Sequence, residues 1–308
     1  MSSSPPHSTN SCNTRGLKLS LLLWSVLPIA AVAQINYTGG NYTQDFNSLE
    51  SGVIYRYYTT LPAGWVVSSG AYVWTPVTNG YSGNYGTYSF SLSANDPDKA
   101  IGLVIGSTGP AYLGAQFRNA TGVALDSFSL TYFAEQWAKG VVSSNDQVIP
   151  FEFSLDATNL TSGTFTPAPA LDMHSINDGN GSFAALNGNL PANRQCIAAT
   201  VSGFSWLPNQ DLWIRWRGVS YGFLTAHALA IDDLCFRAVP ALQIAPSGSS
   251  HIRLAWSTNY PGYTLECASN STLMAWRRLT NEVSTAGTEL TVDVEATLEH
   301  CLFRLEKR

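Results

Sequence analysis

Three aspartates near the two ends of a long β-rich region have the chemistry of a calcium site. Asp45 lies in an early strand-like segment, Tyr42–Asn47, and Asp232 and Asp233 lie in the last such segment. Calcium takes about six to eight oxygen ligands, which combine carboxylates with backbone carbonyls. The first and last strands of such a region can lie close together, so we expect these aspartates to hold a structural calcium ion. One alternative is that Asp232 and Asp233 simply end a strand. Another is that the ion binds at the acidic loop 95–98, although an ordinary Asx turn also explains the acidic residues of that loop.

Aromatic and charged residues lie side by side on two other strand-like segments. Trp213 and Arg215 share one face of residues 212–217, and Glu135 and Trp137 lie on another strand. Exposed rings can stack on sugars while charged groups bond the sugar hydroxyls, so these four residues are the predicted carbohydrate-binding site. The alternative is that a long loop covers the Trp213 ring and that the aliphatic parts of the arginine side chains pack beside this ring.

Catalysis would need a different constellation. Glycoside hydrolysis requires two carboxylates across a cleft, and Glu135, Glu152 and Asp156 could supply them. Single acids on strand faces are usually only solvated, however. The sequence also has no His-Glu-x-x-His and no phosphate-binding glycine loop. We therefore predict a protein that is not an enzyme.

Four of the five cysteines lie beyond the first 33 residues. They are Cys196, Cys235, Cys267 and Cys301, and their spacing is not that of a zinc knuckle or a thioredoxin-like pair. An even number of cysteines in an exported chain indicates disulfides. If each domain closes its own bridge, the pairs are Cys196–Cys235 and Cys267–Cys301. Small buried thiols on strands are the alternative.

The first 33 residues have the layout of a secretory signal peptide. Arg15 and Lys18 precede the apolar run 19–32, which ends in small residues at 31–33. The run is too short to span a bilayer comfortably. We therefore expect cleavage before Gln34 and a secreted or cell-surface protein, with an uncleaved anchor as the alternative.

The composition favours short strands and argues against nucleic acid as a partner. Charged residues make up 12% of the chain, and the net charge is −5. Abundant Gly, Ser, Thr, Asn and aromatic residues suit strands joined by tight turns, whereas helices favour Ala, Leu, Glu, Lys and Arg. Nucleic acid is bound through basic faces, which this acidic chain does not offer.

Alternating apolar and polar residues indicate strands throughout residues 34–239. Phe128, Leu130 and Tyr132, for example, share one face of their segment. About ten such segments predict an all-β, two-sheet jelly-roll sandwich. The stretch 161–194 is poor in strand signal and is predicted to be a long surface loop. After Val239-Pro240, about six shorter segments predict a second, small β-sandwich over residues 240–308.

Several ordered motifs resemble those of a known family. They are Tyr42–Asn47, Leu61–Trp65, Gly86–Phe90, Asp98–Gly102, Gly114–Asn119, Glu135–Trp137 and Ala228–Leu234. Together they resemble a jelly-roll domain of exported and surface proteins of environmental Gram-negative bacteria. This resemblance implies the fold and a life outside the cytoplasm, but no defined activity.

Two further resemblances concern the chain ends. The early Asp-Phe and the final Ile-Asp-Asp-Leu resemble jelly-roll carbohydrate-binding modules, which often hold a structural calcium between their first and last strands. The segments Ile252–Trp256 and Gly262–Glu266, with Trp276, resemble a small fibronectin-like terminal domain of Verrucomicrobia-type secreted proteins.

These observations together predict a secreted, non-catalytic β-sandwich protein that binds carbohydrate or extracellular matrix. One rival is a structural surface or adhesion protein without a small ligand. Another is a polysaccharide-active hydrolase or lyase. A solvent-facing groove at Trp213 and Arg215 would favour binding, and a flat polar surface would favour the structural role. Two facing carboxylates with shifted pKa values in a cleft would favour the enzyme.

Overall fold

A computed structural model describes most of the chain beyond the predicted signal peptide. The described residues are 1, 34–50, 60–68, 71–74, 86–93, 95–104, 110–140, 147–177, 183–219, 227–240, 242–258, 260, 262–268, 276–296 and 301–307. The predicted signal peptide, apart from its first residue, lies outside them. The chain divides into two units, 1–32 and 33–308, and the fold below belongs to the second. No helix among the described residues is long and apolar enough to cross a membrane.

The described residues form strands and two short 3₁₀ turns, Pro169–Leu171 and Pro191–Asn193. In residues 34–240 the strands, in chain order, are β1 (Ile35–Tyr37), β2 (Tyr42–Gln44), β3 (Trp65–Val67), β4 (Ala71–Trp74), β5 (Gly86–Phe90), β6 (Ala100–Val104), β7 (Ala111–Asn119), β8 (Leu125–Lys139), β9 (Val148–Ile149), β10 (Phe151–Ser154), β11 (Thr166–Pro167), β12 (Met173–His174), β13 (Ala184–Ala185), β14 (Arg194–Trp206), β15 (Asp211–Gly218) and β16 (Ala228–Val239). The later strands are β17 (Gln243–Ser247), β18 (His251–Ser257), β19 (Tyr263–Ala268), β20 (Arg277–Arg278), β21 (Ser284–Ala286), β22 (Glu289–Glu295) and β23 (Leu302–Lys307).

Two sheets form the main sandwich. The smaller sheet has the order β1-β7-β15-β10-β11, with β3 also paired to β7. The larger sheet has the order β13-β8-β16-β6-β5-β4, with β14 also paired to β8 and β2 to β16. From β6 to β8 and again from β14 to β16, each successive strand lies in the opposite sheet. This alternation is the jelly-roll arrangement, so the predicted all-β sandwich is confirmed.

Inward-facing aromatic residues of both sheets fill the space between them. Phe117 of β7 stacks on Phe236 of β16 with ring centroids 4.3 Å apart, and Phe128 of β8 meets Phe151 of β10. On β8 the buried inward residues alternate with outward ones, as the period of a strand requires. The outward face of β8, flanked by β14 and β16, is therefore the outer face of the larger sheet.

The stretch 161–194, predicted to be a surface loop, carries more structure than expected. It includes the short strands β11, β12 and β13, and it buries Leu171 and Met173 in the core. Tyr132 donates a hydrogen bond of 2.7 Å to the Leu171 carbonyl, which ties this stretch to β8. Its strands are only two residues long, too short for a period to show in the sequence.

Residues 242–307 form two further small sheets, with the orders β17-β18-β22-β21 and β20-β19-β23. They pack against the main sandwich: Tyr260 donates to the Asp126 carboxylate at 2.7 Å, and Arg237 pairs with Glu306. Their core residues belong to the same apolar cluster as the main sandwich. The predicted boundary at residues 239 and 240 stays a prediction.

Candidate functional site

Trp213 and Arg215, predicted to face a ligand, are buried on the outer side of the smaller sheet. Their exposed fractions are 4% and 9%. Phe165, in the segment after β10, lies with its ring centroid 3.4 Å from the guanidinium carbon of Arg215. The carbonyl of Leu160 accepts a hydrogen bond from the same guanidinium. The expectation of a solvent-facing pair is corrected here, because this segment covers both side chains.

Glu152 anchors that buried arginine. Its carboxylate accepts 2.8 Å and 3.0 Å hydrogen bonds from the Nε atoms of Arg215 and Arg217. Asp156 is exposed and accepts from the Ser154 hydroxyl, a bond that lowers the pKa of Asp156. Two of the three acids considered for hydrolysis, Glu152 and Asp156, thus already have structural partners.

Trp137 is also closed to a ligand. Its side chain is 1% exposed and stacks on Phe90 with ring centroids 5.8 Å apart. Gly188 lies so close that an added Cβ would sit 2.3 Å from the indole Nε1, so only glycine fits there. The indole donates a 3.1 Å hydrogen bond to Glu135, which makes Trp137 a support for that carboxylate.

Glu135 belongs to an acidic cluster on the outer face of the larger sheet. It pairs in register with Arg194 of β14 and Ala230 of β16, and Asp232 lies opposite Phe133. Glu135 and Asp232 are thus diagonal neighbours on adjacent strands, within reach of each other's charge.

A bulge in β16 places the two consecutive aspartates. The register of β16 against β8 shifts between Asp232 and Cys235, and Asp233 has a φ of 48°. A bulge re-aims the side chains around it, so strict alternation no longer holds. The Asp233 carboxylate lies 3.3 Å from Arg194, the residue that also pairs with Glu135 at 3.4 Å.

The cluster holds its protons more tightly than isolated acids do. Burial raises the pKa of Glu135 to about 7, opposed by the Arg194 charge. Burial, and then the Glu135 charge, raises the pKa of Asp232 to about 8. The pKa of Asp98 is also raised, by burial and then by Asp233. Both Glu135 and Asp232 are 1% exposed, and the Oδ1 atom of Asp232 has no hydrogen-bond partner.

A cavity of about 300 Å³ opens beside this cluster, lined by Thr43, Gln44, Asp45, Asp233 and Leu234. It lies where β2 pairs with β16, since Gln44 faces Leu234 in the ladder. Asp45 and Asp233 are therefore brought together, as predicted for chain ends, whereas Asp232 is buried. Within the described ranges, no group of three or more His, Cys, Asp or Glu side chains is arranged to hold a metal ion.

The four cysteines among the described residues are free thiols. Cys196 and Cys235 lie on β14 and β16, with β8 between them. Two interstrand spacings separate them by about 10 Å, beyond the reach of a disulfide. That pairing therefore does not fit the fold. The thiol of Cys301, in contrast, is in hydrogen-bond contact with Cys267, so this pair can be bridged on oxidation.

Sequence reasoning missed Arg194 and Phe133. The Arg194 guanidinium lies 3.8 Å from the centroid of the Phe133 ring, and it contacts both Glu135 and Asp233. Arg194 was assigned to the end of a loop. Its role follows from the antiparallel register of β14 against β8, and no local motif signals that register.

No family model and no curated protein matches this chain. Among solved structures, the CBM22-1 xylan-binding domain of Paenibacillus barcinonensis Xyn10C is similar at 10% identity and a TM-score of 0.32, over 68% of this chain and 99% of that one. The CBM22-1-CBM22-2 tandem domain of the same protein gives 9% identity and 0.30, over 91% and 92%. A β-1,2-glucanase from Parabacteroides distasonis gives 10% and 0.25, over 72% and 34%. These identities and scores are too low to assign a ligand.

Proposed function

We propose that this chain is an exported, non-catalytic β-sandwich protein that binds polysaccharide on the outer face of β14, β8 and β16. The observation that carries the proposal is the strand face around Arg194, whose side chain is 20% exposed. Thr131 and Thr200 are exposed there, and Arg194 is held over Phe133 by two acids. This face offers hydroxyl, guanidinium and carboxylate groups in a fixed array.

Such an array suits the hydroxyl pattern of a sugar chain. Neighbouring strands are about 4.8 Å apart, and outward residues along one strand are about 7 Å apart. Arg194 supplies donors and Asp233 supplies acceptors, and sugar hydroxyls can serve as either. The sheet fixes these groups before a ligand arrives, which lowers the entropy cost of binding.

The same face argues against hydrolysis. Glu135 and Asp232 have the shifted pKa values expected of an acid–base pair, but each is only 1% exposed. A catalytic acid must come within hydrogen-bond distance of its substrate. Buried as they are, these carboxyl groups can influence the face electrostatically without touching a ligand.

The test is binding of the mature protein to a panel of xylan, cellulose, chitin and mixed-linkage glucan, by pull-down and affinity electrophoresis. Arg194→Ala should weaken binding at least about tenfold, as expected for a central arginine. Arg118→Ala is the matched control, because Arg118 forms a 3.3 Å surface ion pair with Asp211 on the smaller sheet. Failure to bind any polysaccharide, or equal losses in both variants, would contradict the proposal and favour a structural surface protein.

We also propose that calcium binds beside this face. Asp45 and Asp233 line one cavity, and the unpartnered Oδ1 of Asp232 lies next in the chain. Backbone carbonyls and the ion's own waters would complete its coordination. An ion that binds only the folded state adds about 2.7 kcal/mol of stability at a hundredfold excess over Kd.

Calcium should therefore raise the melting temperature, and Asp233→Asn should reduce that increase. Asp211→Asn is the control, since Asp211 is a partly exposed acid paired with an arginine on the other sheet. A melting temperature that neither calcium nor a chelator changes would refute the calcium proposal and leave the polysaccharide proposal standing.

A further inference from the structure

The long strand β14 has one unpaired edge. It pairs antiparallel with β8 from Arg194 to Ser202, and in the described part of the chain no strand pairs with its other side. Its residues at positions 195, 196, 198, 200 and 202 are exposed. A row of backbone N–H and C=O groups is thus open to a further strand.

This edge lacks the features that usually block strand addition. Residues 195–206 contain no charged side chain and no proline, whereas natural edge strands carry lysines, prolines or early bulges. The irregularity comes only after Ser202, where the register shifts and Gly203 has a φ of 87°. A regular, uncharged segment of eight residues, 195–202, therefore remains available.

We propose that β14 pairs antiparallel with β14 of a second copy of this chain, about a twofold axis at Ala198. The axis brings identical side chains face to face, and alanine is small enough to allow it. In this register Cys196 of one copy faces Thr200 of the other, and Ile197 faces Ala199. Outward residues meet outward ones and inward residues meet inward ones, because the strand period is two.

Self-complementarity favours a second copy over another partner. No two like charges face each other in this register, since Arg194 meets Ser202. An isologous C2 contact is also the commonest form of association between identical chains. The two larger sheets then form one continuous sheet. The exposed thiol of Cys196, which is not in a disulfide with any described cysteine, lies in the interface.

The experiment measures the oligomeric state of the mature protein by sedimentation velocity over a range of concentrations. The wild type should dimerise. Ala198→Lys places two lysines directly opposite each other and should raise the dimer dissociation constant at least about tenfold. Ser205→Lys is the control, because Ser205 is an exposed residue of the same strand outside the paired segment.

A cysteine cross-link tests the register. Thr200→Cys should give a covalent dimer on oxidation, through Cys196 of the opposite copy. The two positions in one chain are about 13 Å apart along the strand and cannot bridge each other. A protein that stays monomeric, a dimer that Ala198→Lys leaves intact, or a dimer that Thr200→Cys fails to cross-link would overturn the proposal. None of these outcomes depends on polysaccharide binding.

Discussion

Replacing Asp232 with asparagine should stabilise the protein at neutral and alkaline pH. Asp232 is 1% exposed and its Oδ1 atom has no hydrogen-bond partner. The groups that face it are the carboxylates of Glu135, Asp98 and Asp233, and the Arg194 charge is already shared with two of these acids. An uncharged amide of nearly the same shape removes the repulsion and the desolvation penalty together.

The magnitude follows from the pKa of Asp232, which is raised from 3.8 to about 8. Because the folded state binds the proton more tightly, the free energy of unfolding falls as the pH rises from about 4 to about 8. One pKa unit corresponds to about 1.4 kcal/mol, so the full shift sets an upper limit of about 6 kcal/mol. Part of the shift depends on Glu135, and the amide loses bonds of its own, so we expect a gain of about 2 to 3 kcal/mol at pH 9.

Urea unfolding at pH 5, 7 and 9 measures this effect. A chelator is present so that no cation offsets the negative charges. The difference in stability between Asp232→Asn and wild type should grow with pH. Both proteins lose the contribution of Glu135 as the pH rises, but only the wild type also loses that of Asp232. Asp211→Asn is the control, since Asp211 is a partly exposed acid that pairs with Arg118 on the smaller sheet, away from this cluster. A difference that stays constant between pH 5 and pH 9 would refute the electrostatic reasoning.

Two further predictions concern other parts of the fold. Arg215→Ala should lower the free energy of unfolding by about 3 to 5 kcal/mol in urea titrations, because it breaks a buried ion pair with Glu152. A loss below about 1 kcal/mol would show that the pair contributes little. Oxidation should join Cys267 to Cys301, which are in contact, and non-reducing peptide mapping should find the bridge; two freely alkylated thiols in the oxidised protein would contradict this. Reduction should then remove about 2 to 4 kcal/mol.

The strand pattern predicted the fold because the fold depends on one-sided burial. On β8 the inward residues Phe128, Leu130 and Tyr132 are all fully buried, as their alternation indicates. Residues 195–201, in the region 34–239 where alternation indicates strands, belong to β14, which extends over residues 194–206. Pattern alone could not set its exact ends, because the ends depend on β8 as the pairing partner.

The site residues were predicted less accurately than the fold, because a loop covers two of them, Trp213 and Arg215. Alternation separates Trp213 and Arg215 from the inward face of β15, but it cannot tell whether a loop covers the outer face. Here Phe165 and Leu160 do so. Strict alternation would point Asp232 and Asp233 to opposite faces, and the bulge in β16 changes that geometry.

The charges around Arg194 support the proposed binding role over a purely structural one. The Arg194 guanidinium pairs with Glu135 and Asp233. Asp98 and Asp232 add negative charge to the cluster, and neither forms an ion pair with Arg194 among the described contacts. A surface arranged only for stability would gain from fewer buried acids or more cations. The uncompensated negative charge is instead suited to a bound cation, while the exposed Asp233 and the partly exposed Arg194 suit the hydroxyls of a polysaccharide. Because a cation would draw protons from Glu135 and Asp232 whereas a neutral sugar would not, proton release on binding separates the two kinds of ligand.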